Sequence, residues 1–297
     1  MSTPDPQPLA PEEAPPVPEE PEAPETPGEP EAAAGPAAGP AAPPVTVYGE
    51  GTPVVLLHAF PLDSRMWLPQ VEALGGYQVL VPDLRGFGAA RAMAGDTSPI
   101  ELLADDVASL LDDRRLERVV LCGLSMGGYV ALAFAGRHPE RLGGLVLLDT
   151  KAGADSEAAR AERLAIADRV LVEGVGFMPE VMLPRLLGET SRRERPEVVE
   201  RVTETILDQD PRGIAAAQRG MAERPDATAS LADIDVPTLV IVGAEDELTG
   251  PGEARTIAEA VRDARLVQVP GAGHLVNLEQ AAPVNEALLD FLAPLWI

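Results

Sequence analysis

Five stretches of the chain are apolar almost without interruption. They are Pro53 to His58, Tyr77 to Val81, Arg118 to Leu121, Leu145 to Asp149 and Thr238 to Gly243. A run with no polar alternation predicts a strand buried on both faces, the habit of a parallel sheet. Shorter strands are predicted at Val45–Tyr48 and Arg265–Val269. Helical spacing fills the gaps. Met66, Trp67, Val71 and Leu74 fall on one side of a helix over Ser64–Leu74, and others are expected at about 99–113, 129–137, 252–261 and 279–292. Ser98-Pro99-Ile100-Glu101 predicts a sharp helix start, with Ser98 as cap, Pro99 at the first helical position and Glu101 closing a capping box. After Asp149 the alternation stops. Residues 151–232 read as helices alone, including Ala158–Glu173 and Arg195–Asp208. The expected fold is α/β: an open, mostly parallel sheet flanked by helices, with a helical cap inserted after the fourth core strand.

Residues 1–44 break the pattern. They hold fifteen Pro and nine Asp or Glu, with no Lys or Arg. Such a segment cannot bury enough apolar surface to offset its ordering entropy, so a disordered tail is expected there. The domain reading is a tail over 1–44, a core over 45–150 and 233–297, and a cap over 151–232.

Charge and composition narrow the function. A net charge of −25 over 297 residues argues against nucleic acid or an anionic membrane surface as partner. One cysteine, Cys122, excludes an internal disulfide framework. No bilayer-spanning run and no secretory pattern is visible, so a cytoplasmic location is expected. Metal-ligand spacing, a dinucleotide fingerprint and a phosphate loop are lacking, and no cofactor is expected. The oligomeric state is not legible.

The chemistry starts at Cys122-Gly123-Leu124-Ser125-Met126-Gly127, where a strand runs through G-x-S-x-G into a helix. A side chain at the apex of so tight a turn needs small neighbours two residues away on either side, and Gly123 and Gly127 supply the room. Ser125 then projects at a helix N-terminus, where developing negative charge is favoured. A serine needs a positioned base. Three histidines are available. His138 ends the following helix. His58 ends a strand and is read as a brace. His274 lies in the glycine-rich loop after the last strand, at the sheet's carboxyl edge, and is the expected base. Asp246, after the strand at 238–242, is the expected orienting acid. Glu245, Glu247 and Asp149 are its rivals.

Residues 45–297 resemble the α/β-hydrolase superfamily. Pro82-Asp83-Leu84-Arg85-Gly86-Phe87-Gly88 is similar to its D-x-R-G-x-G loop, His58-Ala59-Phe60-Pro61 to its H-G-x-P oxyanion segment, and Gly271-Ala272-Gly273-His274 to its histidine loop. The order Ser, Asp, His is that of the superfamily. Two subgroups are nearest in motifs: the 3-oxoadipate enol-lactonase group and the cofactor-free haloperoxidase and perhydrolase esterases. The resemblance implies a serine hydrolase acting on a small, largely uncharged ester or lactone, with Ser125, His274 and Asp246 as triad. The backbone N–H groups of Phe60 and Met126 would form the oxyanion hole. Phe60, Met126, Phe177, Met178 and Met182, with Leu183 and Met221, would make an apolar pocket. Perhydrolysis or carbon–carbon bond hydrolysis are rival chemistries on the same fold, and a non-catalytic receptor or scaffold is a remote one. Ala59 stands where the superfamily has glycine, which would strain the loop if that position needed positive φ.

Overall fold

The computed structural model describes Met1 and residues 39–295. Seven strands form one sheet: β1 (Val45–Tyr48), β2 (Pro53–Leu57), β3 (Gln78–Pro82), β4 (Val119–Leu124), β5 (Leu142–Leu148), β6 (Thr238–Gly243) and β7 (Ala264–Val269). Their order is β1-β3-β2-β4-β5-β6-β7. Only β1 runs antiparallel, pairing with β3. β4, β5 and β6 are buried at every position, as their unbroken apolar runs require.

The helices are α1 (Leu68–Ala73), α2 (Ile100–Arg114), α3 (Met126–Arg137), α4 (Glu157–Glu173), α5 (Met178–Leu186), α6 (Glu189–Glu194), α7 (Pro196–Leu207), α8 (Pro211–Glu223), α9 (Pro251–Ala260), α10 (Val276–Glu279) and α11 (Ala281–Leu292). α4 to α8 fall between β5 and β6 and form the helical insertion. Among the described residues no helix is long and apolar enough to cross a membrane.

The strand order places the site. The chain reverses its direction of travel between β2 and β4, and ligands in open α/β sheets gather at such a switch point, beyond the carboxyl ends of the strands. β2 and β4 pair with Leu57 opposite Gly123. The loop from His58 and the turn at Ser125 therefore leave the sheet side by side. β6 and β7 pair with Gly243 opposite Val269, so the loops carrying Asp246 and His274 also leave level.

Two local expectations are corrected. α2 begins at Ile100, and no side chain caps it. Ser98 is instead buried, its backbone N–H donates to Ala216 of α8, and its hydroxyl has no partner among the described residues. Packing against the insertion has displaced the capping box. The second concerns the tail. Residues 39–44 make specific contacts with the core. Arg85 and Asp106 form a buried bidentate pair, Nε–Oδ2 2.9 Å and Nη2–Oδ1 2.8 Å. The Ala41 N–H donates to Asp106 at 2.7 Å, Arg85 donates to the Gly39 carbonyl at 3.2 Å, and the Asp83 N–H donates to Pro44 at 3.0 Å. The remainder of the tail expectation, residues 2–38, lies outside the described residues.

These contacts make a prediction. A chain beginning at residue 45 is expected to melt several degrees below one beginning at residue 39. It loses three hydrogen bonds around a buried ion pair, worth about 1–3 kcal/mol together. Thermal unfolding of the two truncations checks this, and coincident melting curves would show that the segment contributes nothing.

Candidate active site

Ser125 occupies a backbone conformation that few side chains tolerate, φ 54° and ψ −111°. The sharp turn is possible because its flanks are bare. A Cβ on Gly123 would lie 2.2 Å from the Gly127 carbonyl oxygen, and one on Gly127 would lie 2.2 Å from that of Leu57. The turn is pinned from below by the Ser125 N–H donating to Leu148 at 3.0 Å and by Thr150 Oγ1 donating to the Ser125 carbonyl at 2.9 Å. α3 begins immediately after it.

His274 arrives from the loop after β7. Its Nε2 is 2.7 Å from Ser125 Oγ, and its Nδ1 is 3.0 Å from Asp246 Oδ2. Asp246 in turn accepts from the backbone N–H groups of Leu248 and Thr249, and from Thr249 Oγ1 at 2.8 Å. Burial by itself would raise the Asp246 pKa. The His274 charge and hydrogen bond, with those of Thr249, outweigh it and hold the carboxyl below its ordinary value. An ionised Asp246 accepts a hydrogen bond from His274 Nδ1–H and leaves Nε2 to accept from Ser125. Thr249 Oγ1 also lies 3.2 Å from Nδ1. Only a threonine three residues after an aspartate, an arrangement suited to a side-chain turn, hinted at it in the sequence.

The rival carboxylates are elsewhere. Glu245 accepts from the N–H and hydroxyl of Thr190 and ties the insertion to the β6 loop. Glu247 is exposed. Asp149 is fully buried and accepts backbone N–H bonds from Gly243 at 2.8 Å and Val276 at 3.0 Å. Burial, then the nearby charge of Asp246, pushes the Asp149 pKa well above its ordinary value, despite those two bonds. Two neighbouring carboxyls are thus driven apart, Asp246 toward the ionised form and Asp149 toward the neutral one.

The Phe60 and Met126 N–H groups donate to no other protein group among the described residues. Ala59 has no positive φ, so the alanine is accommodated without strain. His58, wholly buried, braces this loop. Its Nδ1 lies 3.0 Å from the Ala59 carbonyl, and its Nε2 accepts from the Leu84 N–H at 2.9 Å. That pair of bonds requires a neutral ring. Burial holds its pKa below 6.5, against the Ala59 bond and the carboxylates of Asp83 and Asp63, which pull upward. The unfolded chain then binds the extra proton more readily, so this contribution to stability is present above about pH 6.5 and is lost as pH falls toward the lowered folded value. The melting temperature of the parent is expected to drop more between about pH 7.5 and 5 than that of His58→Gln, which does not titrate. Parallel slopes would refute this. His138 lies far from the site and bonds Asp105 at 2.9 Å.

A family model for the alpha/beta hydrolase fold matches residues 52–281. The chain belongs to the α/β-hydrolase family. A solved thermophilic esterase from Thermogutta terrifontis, with malate bound, is similar over 84% of this chain and 92% of its own, at 45% identity and TM-score 0.82. The 3-oxoadipate enol-lactonase 2 of Acinetobacter baylyi is 29% identical over 75% of this chain and 82% of its own length. A bromoperoxidase from Bacillus anthracis is 25% identical over 84% of this chain and 94% of its own, with TM-score 0.73.

A cavity of about 180 Å³ opens over Ser125 and His274. Phe60, Met182 and Met221 line it. The other expected pocket residues do not. Met126 is packed in the core beneath the elbow, Met178 is buried inside the insertion, and Leu183 packs there half-buried. Phe177 lies under the Arg169 guanidinium, 3.8 Å from the ring centroid. The reading of Met126, Phe177, Met178 and Leu183 as pocket residues is therefore corrected. Phe177, Met178 and Leu183 hold the insertion together, and Lys151, Asp155, Glu162, Arg163, Arg185 and Gln218 face the cavity beside the apolar Ile166, Leu186 and Leu248.

Proposed function

We propose that the protein hydrolyses a small carboxylic ester or lactone through an acyl-enzyme. Ser125 attacks the carbonyl carbon while His274 Nε2 takes the hydroxyl proton. Asp246 holds the imidazole in the required tautomer and stabilises the imidazolium that forms. The carbonyl oxygen becomes an oxyanion facing the Phe60 and Met126 N–H groups, each worth about 3–4 kcal/mol to the transition state. The proton on His274 then passes to the departing alkoxide. A water molecule, deprotonated by the same histidine, cleaves the acyl-enzyme and restores Ser125. In a lactone the departing oxygen stays tethered to the acyl group, and one product leaves.

The observation that carries this reading is the unbroken line from Asp246 through His274 to Ser125, at 3.0 and 2.7 Å, ending in a cavity. The esterase and enol-lactonase likenesses support the substrate class. The test is covalent labelling by a fluorophosphonate, followed by a panel of p-nitrophenyl esters and lactones with and without peroxide. Labelling at Ser125 with turnover of esters or lactones is expected. A peracid product formed faster than the carboxylic acid would move the assignment to perhydrolysis.

A further inference from the structure

The cavity over Ser125 carries an unbalanced set of charges. Asp155 is buried, and three cations converge on it: Lys151 Nζ at 2.9 Å, Arg163 Nε at 2.5 Å and Arg224 Nη1 at 3.1 Å. Arg185 pairs with Glu162 nearer the surface, so those two charges cancel. Beside the nucleophile, three lining cations, Lys151, Arg163 and Arg185, thus face two carboxylates, with Arg224 behind Asp155, in a chain whose net charge is −25.

The acidic partner cannot absorb this surplus. Burial pushes Asp155 upward, but Arg163, Lys151 and Arg224 outweigh it and hold its pKa at about 2. It is already a full anion and is already shared. Arg224 is spoken for: it donates to the Gly153 carbonyl at 2.7 Å and stacks over Tyr129 at 4.1 Å. The other two cations retain donors. Lys151 Nζ has Asp155 as its one partner among the described residues. Arg163 spends Nε on Asp155 and Nη1 on Gln218 and Met221, which leaves Nη2. Both side chains are only about one-fifth exposed, 20% for Lys151 and 21% for Arg163. Partly desolvated cations with unused donors are costly unless an anion completes them. Their place fits a ligand of the site. Lys151 directly follows Thr150, which donates to the Ser125 carbonyl, and it lines the same cavity as Ser125.

We propose that Lys151 and Arg163 form a carboxylate-binding subsite, and that the preferred substrate is an ester or lactone bearing a second, free carboxylate. This rests on the hydrolase reading above and names its substrate class. Arg163 supplies a planar donor edge, and Lys151 a point charge, to the substrate's distal carboxylate. The acyl carbon then stands at Ser125. A low-dielectric pocket of positive sign inside an anionic protein draws in a small anion at short range while the outer surface repels larger polyanions.

Two probes differing by one charge test this: mono-p-nitrophenyl adipate and its methyl ester, assayed by nitrophenolate release. kcat/KM for the charged ester is expected to exceed that for the neutral one by roughly tenfold or more, the size of one charged hydrogen bond. Lys151→Gln should lower that ratio roughly tenfold through KM, and Lys151→Arg should restore most of it. A second arm needs no turnover. Adipate titrated into the Ser125→Ala protein should bind, and adding Lys151→Gln should weaken it by a similar factor. Equal kcat/KM for the two esters, or adipate binding indifferent to Lys151, overturns the subsite while leaving the hydrolase reading intact. Lys151-dependent adipate binding with no turnover of either ester, or of any ester or lactone in the panel above, supports the subsite and sinks the hydrolase reading instead. If adipate does not bind to the Ser125→Ala protein, the subsite is refuted whatever the activity.

Discussion

Ser125→Ala is expected to abolish ester or lactone hydrolysis, a loss of roughly 10⁵- to 10⁶-fold in kcat, while the protein folds as before. Two observations separate these effects. The Ser125 hydroxyl meets only the His274 ring nitrogen, so its removal leaves no buried partner in deficit beyond the one catalytic contact. The fold at this point is held by the backbone, through the Ser125 N–H to Leu148, the Thr150 bond to the Ser125 carbonyl and the closeness of Gly123 to Gly127. Alanine keeps all of these and has the same Cβ at φ 54°. The melting temperature should therefore change by little more than a degree. His274→Ala should behave in the same way, and the double variant should be barely slower than either single one, since nucleophile and base act as a unit. Steady-state kinetics on the three purified proteins, with circular dichroism melts, decide the matter. Losses that add on a logarithmic scale would mean that His274 does not serve Ser125, and activity within tenfold of the parent would remove Ser125 from the mechanism.

Asp246→Asn and Asp149→Asn should have opposite consequences, although the two carboxyls are near neighbours. Asp246 is the ionised one, and it bonds the imidazole directly. Asparagine there offers an amide where a carboxylate accepted the Nδ1 proton, which favours the wrong tautomer and leaves the imidazolium without its counter-charge. A loss of about 10⁴-fold in kcat is expected, with KM little changed. Asp149 is driven toward its neutral form and bonds only backbone N–H groups, at Gly243 and Val276. Asparagine is of similar shape and carries no charge, but its NH2 must face one of those N–H donors. The expected cost is about 1–3 kcal/mol of stability, with kcat within roughly tenfold of the parent. Urea titrations and kcat for both variants make the comparison. If Asp149→Asn is the one that stops turnover, the orienting acid has been misassigned.

The strands could be found in the sequence because a strand buried on both faces has no place for polar residues. β4, β5 and β6 advertise themselves as apolar runs, and the elbow advertises itself through a steric requirement spanning five residues. Both are local properties of the chain. Gly143 and Gly144 hid the first turn of β5's run, which begins at Leu142 rather than Leu145, because glycine carries no hydrophobic signal. The meeting of Ser125, His274 and Asp246 was legible for a related reason. Loops at the carboxyl edge of a parallel sheet must converge, so the polar residues closing β4, β6 and β7 are brought together by topology alone.

Other features depended on sums over residues far apart in sequence. Ser98 has every mark of a helix cap, yet contact with Ala216 in the insertion claims its backbone instead. Asp246 and Asp149 are alike as letters, and only burial, distance to His274 and their mutual repulsion push one toward the anion and the other toward the neutral acid. Met178, Leu183 and Phe177 of residues 151–232 have the composition of a pocket, but an insertion of helices must first fill its own interior, and it uses them there. The cavity is consequently lined by what remained. Lys151, Asp155 and Arg163 come from the stretch after β5 and the first turns of α4, and Gln218 from α8. No spacing in the sequence joins them. Apolar periodicity and steric gaps are written along the chain, and these the sequence by itself determined. The electrostatic character of a cavity is set by distances in space and by the loss of water, and that was decided only when the helices closed over the sheet.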